Sequence, residues 1–140
     1  MAANGPLYAR FADGRLSMGF RVEERHTNPM KMCHGGMLST FADMLMPMVT
    51  IYQGAGERRF LPTISLQIDF LAPAPLGAWV QGTGDLLRST RNMVFAQGLV
   101  TADGVEEITL GDRTFLTVAP EALRTLAFEA LRDISHLLRP

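Results

Sequence analysis

Apolar and polar residues alternate along several stretches of this chain, which is the two-residue period of a half-buried β-strand. Gly82 and Gly84 interrupt one such stretch and are expected to mark a bulge or a bend. Asp103 and Gly104 are a strong two-residue hairpin signal, so the last three strands are expected to form an antiparallel meander. The predicted strands cover residues 16–22, 62–71, 78–87, 92–101 and 106–118.

Three other segments have helical character. Residues 5–12 are expected to form a short helix that ends at the turn pair Asp13-Gly14, and the tail predicts another helix over about residues 120–138. Between them, residues 36–53 predict a long helix that is apolar nearly all round and should therefore be buried. Asp43 is the one carboxylate in that helix, and burying it costs free energy unless it has a partner or a use.

The order of these elements is a strand, a long apolar helix and then four strands. It predicts a single α+β domain over residues 1–140, with an antiparallel sheet against a central helix and an additional C-terminal helix. An antiparallel sheet can bury one face under the helix and still expose its edges. A protein of this size is therefore expected to complete its burial by forming a homo-oligomer, most simply a two-fold dimer.

Composition narrows the classes of function. The formal net charge of −1 gives no electrostatic case for nucleic acid or for an anionic membrane surface. The apolar run 37–51 is too short to span a bilayer and contains Asp43 and Pro47. A single cysteine cannot form an internal disulfide, and the N-terminus does not read as a signal peptide, so a cytoplasmic protein is expected.

The candidate chemistry lies at the start of the long helix. Gly35 and Gly36 open the helix, and a helix N-terminus offers unpaired N–H groups to an oxygen that gains negative charge. Glycine lets a substrate approach the backbone closely. Asn28 and His34 precede the helix, and Asp43 would supply a carboxylate that can act as a base in an apolar setting. These are the two halves of a hydrolytic site for a thioester.

The spacing of Asn28, His34-Gly35-Gly36 and Asp43 resembles the signature of the hotdog-fold acyl-CoA thioesterases, in the PaaI-like (phenylacetate-pathway) branch. Two more segments are similar to that family, Asp-Phe-Leu-Ala-Pro-Ala at 69–74 and Arg-Thr-Phe-Leu-Thr-Val at 113–118. The similarity covers about residues 16–118.

The resemblance implies a hotdog fold, in which the antiparallel sheet wraps the central helix. It also implies a homodimer or homotetramer with each active site at a subunit interface. The substrate would be an acyl-CoA thioester, with coenzyme A entering only as part of that substrate, no other cofactor and no metal. Nucleic acid and membrane partners are not expected.

The family's site roles fall on eight positions of this chain. Gly35 N–H would hold the thioester oxygen, and Asp43 of the neighbouring subunit would be the base or the nucleophile. The remaining catalytic positions are Asn28, which would position that oxygen or the water; His34, near the sulfur; and Thr63, which would orient the water. Gly36, Arg88 and Arg91 are the expected substrate contacts.

Several alternatives stay open from the residues alone. Asp43 can be a structural acid, His34 a helix cap, Asn28 a turn former, Thr63 an ordinary strand residue, and Arg88 and Arg91 solvated surface. Cys33 invites a thiol-nucleophile hypothesis, and Cys33 and His34 with the nearby methionines invite a soft-metal site. A hotdog protein can also bind acyl-CoA without hydrolysis. A hydratase is disfavoured, because no histidine follows Asp43 before His136.

Overall fold

The computed structural model describes residues 4–54, 61–103 and 106–117. The predicted helix over residues 120–138 lies outside these ranges. The one long helix described is α1, Gly35–Gln53, and a short 3₁₀ helix precedes it at Glu24–His26. The strands are β1 (Tyr8–Ala12), β2 (Arg15–Arg21), β3 (Thr63–Leu66), β4 (Asp69–Phe70), β5 (Trp79–Ser89), β6 (Met93–Ala102) and β7 (Glu106–Thr117).

The described strands form one seven-stranded sheet in the order β1-β2-β5-β6-β7-β3, and β4 also pairs with β7. Every pairing is antiparallel. α1 packs mainly against β2, β5 and β6 in the middle of this sheet. The predicted α+β arrangement of an antiparallel sheet on one long helix is therefore confirmed. No helix of the described part is both long and apolar enough to cross a membrane.

The core lies between the sheet and α1. The alternation over residues 16–22 is borne out, because Leu16, Met18 and Phe20 are buried on one face of β2. Phe41 and Leu45 meet them from the helix and are fully buried. The side chain of Gln53, at the end of α1, ties the helix to two strands: it accepts the N–H of Leu16 and donates to the carbonyl of Gly84, at 2.8 and 3.0 Å.

Gly82 and Gly84 do not mark a bulge in β5, so that part of the prediction is wrong. The register shift between β5 and β6 lies further along, between Leu86 and Arg88. Gly82 instead faces the helix, where an added Cβ would meet Leu45 Cδ2 at 2.5 Å and Phe41 Cε1 at 2.9 Å. Glycine is required there because the helix packs directly on the strand.

The N-terminal segment is a strand and not the expected helix. Asp13 and Gly14 both have positive φ angles, 52° and 75°, which is the conformation of a tight hairpin turn. The turn folds β1 back along β2, with Tyr8 opposite Gly19. The backbone pairing across this turn overrides the short helical pattern.

The predicted strand over residues 62–71 is divided into β3 and β4, both of which pair with β7. Its apolar face was expected to be buried, and in the single chain it is not. Ile64 is 53% exposed and Phe70 is 52% exposed, because β3 is at the edge of the sheet and no described element covers it.

Candidate active site

The start of α1 leaves one backbone amide available. His34 caps the helix: its ring Nδ1 accepts the N–H of Gly36 at 2.9 Å, and its carbonyl accepts the N–H of Met37, also at 2.9 Å. The N–H of Gly35 has no acceptor among the described residues. The predicted glycine helix start is therefore correct to within one residue, and His34 does act as a cap.

Phe70 lies beside that free amide. A Cβ built on Gly35 would be 3.4 to 3.8 Å from three atoms of the Phe70 ring, which is ordinary van der Waals contact. Phe70 comes from β4, so the edge of the sheet supplies one wall next to the helix start. In the sequence, Phe70 stands out only as part of a motif, and no role in the site was predicted for it.

Asp43 is exposed in the single chain, so the expectation that this chain buries it is wrong. Gly36, Thr40 and Asp43 follow one another at spacings of four and three residues, which places them on one face of the helix. All three are exposed. α1 packs on the middle of the sheet, and its flank towards the β3 edge is left uncovered.

Asp43 and Thr63 are brought together. The Thr63 hydroxyl donates to Asp43 Oδ1 at 2.5 Å. Thr63 is the first residue of the edge strand β3, so both partners lie at the open edge of the sheet. From the sequence, Thr63 was expected to orient the water; this hydrogen bond was not predicted, and it holds the carboxylate at the rim of the exposed flank.

Asn28 holds the loop in front of the helix. Its side-chain oxygen accepts the N–H of Met30 at 3.0 Å and of Met32 at 3.1 Å, which is the local turn that its residue type favours. Its side-chain nitrogen has no acceptor among the described residues. Asn28 is therefore a turn former that still has an amide N–H group to offer.

One chain does not bring the carboxylate and the free amide together. Gly35 and Asp43 are eight positions apart on the same helix, which separates them by roughly 12 Å at about 1.5 Å per residue. Both groups would have to lie within hydrogen-bonding or attack distance of one thioester carbonyl. A single copy of α1 cannot satisfy both requirements.

The other predicted substrate contacts are dispersed. Gly36 is exposed at the helix start, whereas Arg88 and Arg91 are exposed around the turn between β5 and β6. Neither arginine forms an ion pair with another described residue. No contact in the described part of the chain links them to the helix start.

Cys33 is buried, and burial raises the pKa of its thiol to about 11. A thiol with so high a pKa is almost entirely protonated near neutrality, which argues against the thiol-nucleophile hypothesis. Among the described residues, no group of three or more His, Cys, Asp or Glu side chains is arranged to hold a metal ion.

Sequence reasoning missed His26, which is 3% exposed and lies behind the helix start. Its ring Nδ1 accepts the N–H of Glu23 at 3.0 Å, and its carbonyl accepts the N–H of His34 at 2.8 Å. The available signal was the spacing of three between Glu23 and His26, which is typical of a side-chain cap on a first helical turn. Because the residues around His26 are mostly polar, the sequence gives no indication that its side chain is buried.

Comparison with known proteins identifies the family to which this chain is similar. The model of the thioesterase superfamily matches residues 30–109 of the chain. Mouse acyl-coenzyme A thioesterase 13 is 27% identical over 85 residues, which are 61% of this chain and 59% of the mouse protein. The match thus spans about three fifths of that relative's length.

Two solved structures have the same fold. The phenylacetic acid degradation-related protein of Ralstonia eutropha JMP134 aligns with a TM-score of 0.68 at 26% identity, over 80% of this chain and 84% of that one. A hypothetical thioesterase protein of Streptococcus pneumoniae, solved with coenzyme A, aligns with a TM-score of 0.74 over 84% of this chain and 89% of that one. At 18% identity the second likeness shows the fold alone. The predicted hotdog fold and the resemblance to PaaI-like thioesterases are confirmed.

Proposed function

Since this chain belongs to the thioesterase superfamily, we propose that it hydrolyses an acyl-CoA thioester to the free acid and coenzyme A, in a site that two copies of the chain share. The observation that carries the proposal is the Gly35 amide at the start of α1, which has no acceptor in the described part of the chain. The mouse relative is an acyl-coenzyme A thioesterase, and the Streptococcus pneumoniae neighbour was solved with coenzyme A. The mouse relative supports a coenzyme A thioester as the substrate.

The Gly35 amide supplies the electrostatic half of the reaction. Attack on a thioester carbonyl moves negative charge onto its oxygen, and a fixed N–H donor at a helix N-terminus stabilises that charge. One such donor is typically worth about 10²–10³ in rate. Gly35 carries no side chain that would keep the carbonyl away from the amide.

Asp43 supplies the other half. As a base, its carboxylate takes a proton from water while the water oxygen bonds to the carbonyl carbon; the C–S bond then breaks, and the sulfur leaves with the bonding electron pair and takes up the proton that Asp43 held. As a nucleophile, the carboxylate itself bonds to that carbon, the same C–S bond breaks, and water hydrolyses the resulting anhydride. The hydrogen bond from Thr63 orients the carboxylate in either route.

Two copies are needed because of the separation along α1. Roughly 12 Å of helix keeps Asp43 from acting on a carbonyl held at Gly35 of the same chain. A two-fold dimer can place the exposed Asp43 of one copy opposite the Gly35 amide of the other, in two equivalent sites. The half-exposed apolar side chains Ile64 and Phe70 at the same edge support a partner there.

The remaining polar groups have supporting roles. Asn28 offers its side-chain N–H to the thioester oxygen or to the attacking water, and His34 lies where the sulfur would pass. Arg88 and Arg91 are cations available to the phosphates of coenzyme A, with Gly36 leaving room at the helix start. These roles follow the family's pattern.

A panel of acyl-CoA esters, with released thiol as the readout, tests the proposal directly. Gly35→Pro removes the amide hydrogen at a position where proline is well tolerated, since residue 34 already has an extended backbone (φ −65°, ψ 136°). We expect Gly35→Pro to lower kcat by about 10²–10³ and the matched control Gly35→Ala, which keeps the N–H, to lower it far less. Asp43→Asn should abolish turnover. A wild-type protein that binds the esters without releasing thiol would refute hydrolysis.

A further inference from the structure

We propose that Phe70 is a specificity-determining residue whose ring packs against the carbon next to the thioester carbonyl and limits branching there. This inference rests on the proposed function and adds the part of the substrate that this side chain selects. Phe70 is a large apolar side chain on a sheet edge, 52% exposed, and its ring lies at contact distance from the position that a Cβ on Gly35 would occupy. Half-exposed phenyl rings beside an unpaired amide are suited to a ligand that is polar at one atom and apolar next to it.

The position of the Gly35 N–H determines which atoms of a bound thioester lie near the Phe70 ring. A thioester oxygen that accepts the Gly35 N–H lies about 2.9 Å from that nitrogen, and the carbonyl carbon follows about 1.2 Å beyond it. The ring atoms of Phe70 are 3.4 to 3.8 Å from the Cβ position of Gly35, on the same residue. A helical Cα–Cβ bond is tilted towards the helix N-terminus, which is also where the N–H group of the first turn points, so a carbonyl bound to that N–H can turn one of its substituents towards the ring.

The two flanks of the helix start differ in chemistry. The Cβ position of Gly36 faces the His34 ring, with Nδ1 at 3.0 Å, whereas the Cβ position of Gly35 faces Phe70. A thioester carbonyl has two substituents, a sulfur that leads to the polar coenzyme and a carbon that leads to the acyl chain. The polar flank suits the sulfur side and the phenyl flank suits the acyl side. Phe70 thereby forms a wall of the acyl site next to the carbonyl.

The test compares butyryl-CoA with isobutyryl-CoA, which has the same number of carbons but is branched next to the carbonyl. Removing the ring in Phe70→Ala opens space at that carbon, so the ratio of kcat/KM for isobutyryl-CoA to that for butyryl-CoA should rise about tenfold. Phe70→Leu should give a smaller rise. Phe11→Ala is the matched control, because Phe11 is 51% exposed on β1, at the opposite edge of the sheet, and should leave the ratio unchanged.

Light scattering on every variant separates specificity from assembly, because Phe70 shares its edge with Ile64 of β3. If Phe70→Ala changes the oligomeric mass, the inference is judged on the kcat/KM ratio of Phe70→Leu instead. An unchanged ratio in a variant with wild-type mass overturns the inference, even if overall activity falls.

A binding measurement keeps this inference separable from hydrolysis. The two ketone analogues in which a methylene separates the sulfur from the carbonyl cannot be hydrolysed, and their affinities can be measured by calorimetry. If the wild type hydrolyses neither ester, the proposed function fails. The role of Phe70 then stands only if Phe70→Ala shifts the ratio of the two dissociation constants towards the branched analogue, and falls if that ratio is unchanged.

Discussion

Mixing two inactive variants should restore a defined fraction of activity, because neither chain can supply both halves of a site. The variants are Asp43→Asn, which lacks the carboxylate, and Gly35→Pro, which lacks the amide hydrogen. In a mixed dimer, one site combines the intact Gly35 of the first chain with the intact Asp43 of the second. The other site carries both defects.

The magnitude follows from this geometry. Equal amounts of the two chains, fully exchanged, give mixed dimers as about half of all dimers, and one of the two sites in each is intact. We therefore expect about a quarter of the wild-type kcat per chain, whereas each variant alone should retain about 1% or less. The assay is thiol release from a saturating acyl-CoA ester. Subunit exchange is verified beforehand by mass spectrometry of differently tagged chains.

A second mixture checks the first. Wild type mixed equally with the double variant Asp43→Asn/Gly35→Pro should also fall to about a quarter of the wild-type activity, because neither site of a mixed dimer is complete. If each site were contained within one chain, the mixture would instead keep about half of the wild-type activity. No recovery in the first mixture, together with one half in the second after verified exchange, would refute the shared site and the roughly 12 Å argument behind it.

Three further outcomes are expected. Thr63→Val, which removes the donor to Asp43 Oδ1, should lower kcat about tenfold while Thr63→Ser retains it; an unaltered kcat in the valine variant would contradict the orienting role. With a thiol pKa of about 11, Cys33 should be alkylated about a hundredfold more slowly at pH 8 in the folded protein than in urea, with the rate rising as the pH approaches 11; equal rates would show that the thiol is not protected. Gly82→Ala should lower the free energy of unfolding by about 1–3 kcal/mol in a urea titration, because its Cβ would overlap Leu45, and an unchanged midpoint would count against close packing of helix on strand.

The interior of the fold was largely readable from the sequence. The alternating apolar residues of β2 are buried together only if this segment is a strand, and the long apolar run of α1 is buried if it is a helix packed on the sheet. Both elements are found where they were expected. Residues 8–12 were misread because a short apolar pattern fits two periods equally well. The deciding feature was the turn at Asp13-Gly14, whose positive φ angles start a hairpin.

The candidate site was only partly readable. Asp43 and Thr63 were both singled out from the sequence, Thr63 as the residue that would orient the water, but the hydrogen bond between their side chains was not predicted. The burial of Asp43 was inferred from its apolar neighbours in the sequence, but exposure at a sheet edge depends on what else covers the edge. That property belongs to the assembly, which periodicity in one chain cannot report. The place of Phe70 likewise depends on β4 reaching the helix start, a contact between distant parts of the chain.

The cap at the start of α1 also determines what the His34 imidazole can do. Because Nδ1 uses its lone pair to accept the Gly36 N–H, the neutral ring carries its hydrogen on Nε2. In that tautomer the ring can donate a hydrogen bond outwards, but it cannot accept a proton at Nδ1 without losing the cap. General-base chemistry by this imidazole would therefore come at the expense of the helix start that presents the Gly35 amide.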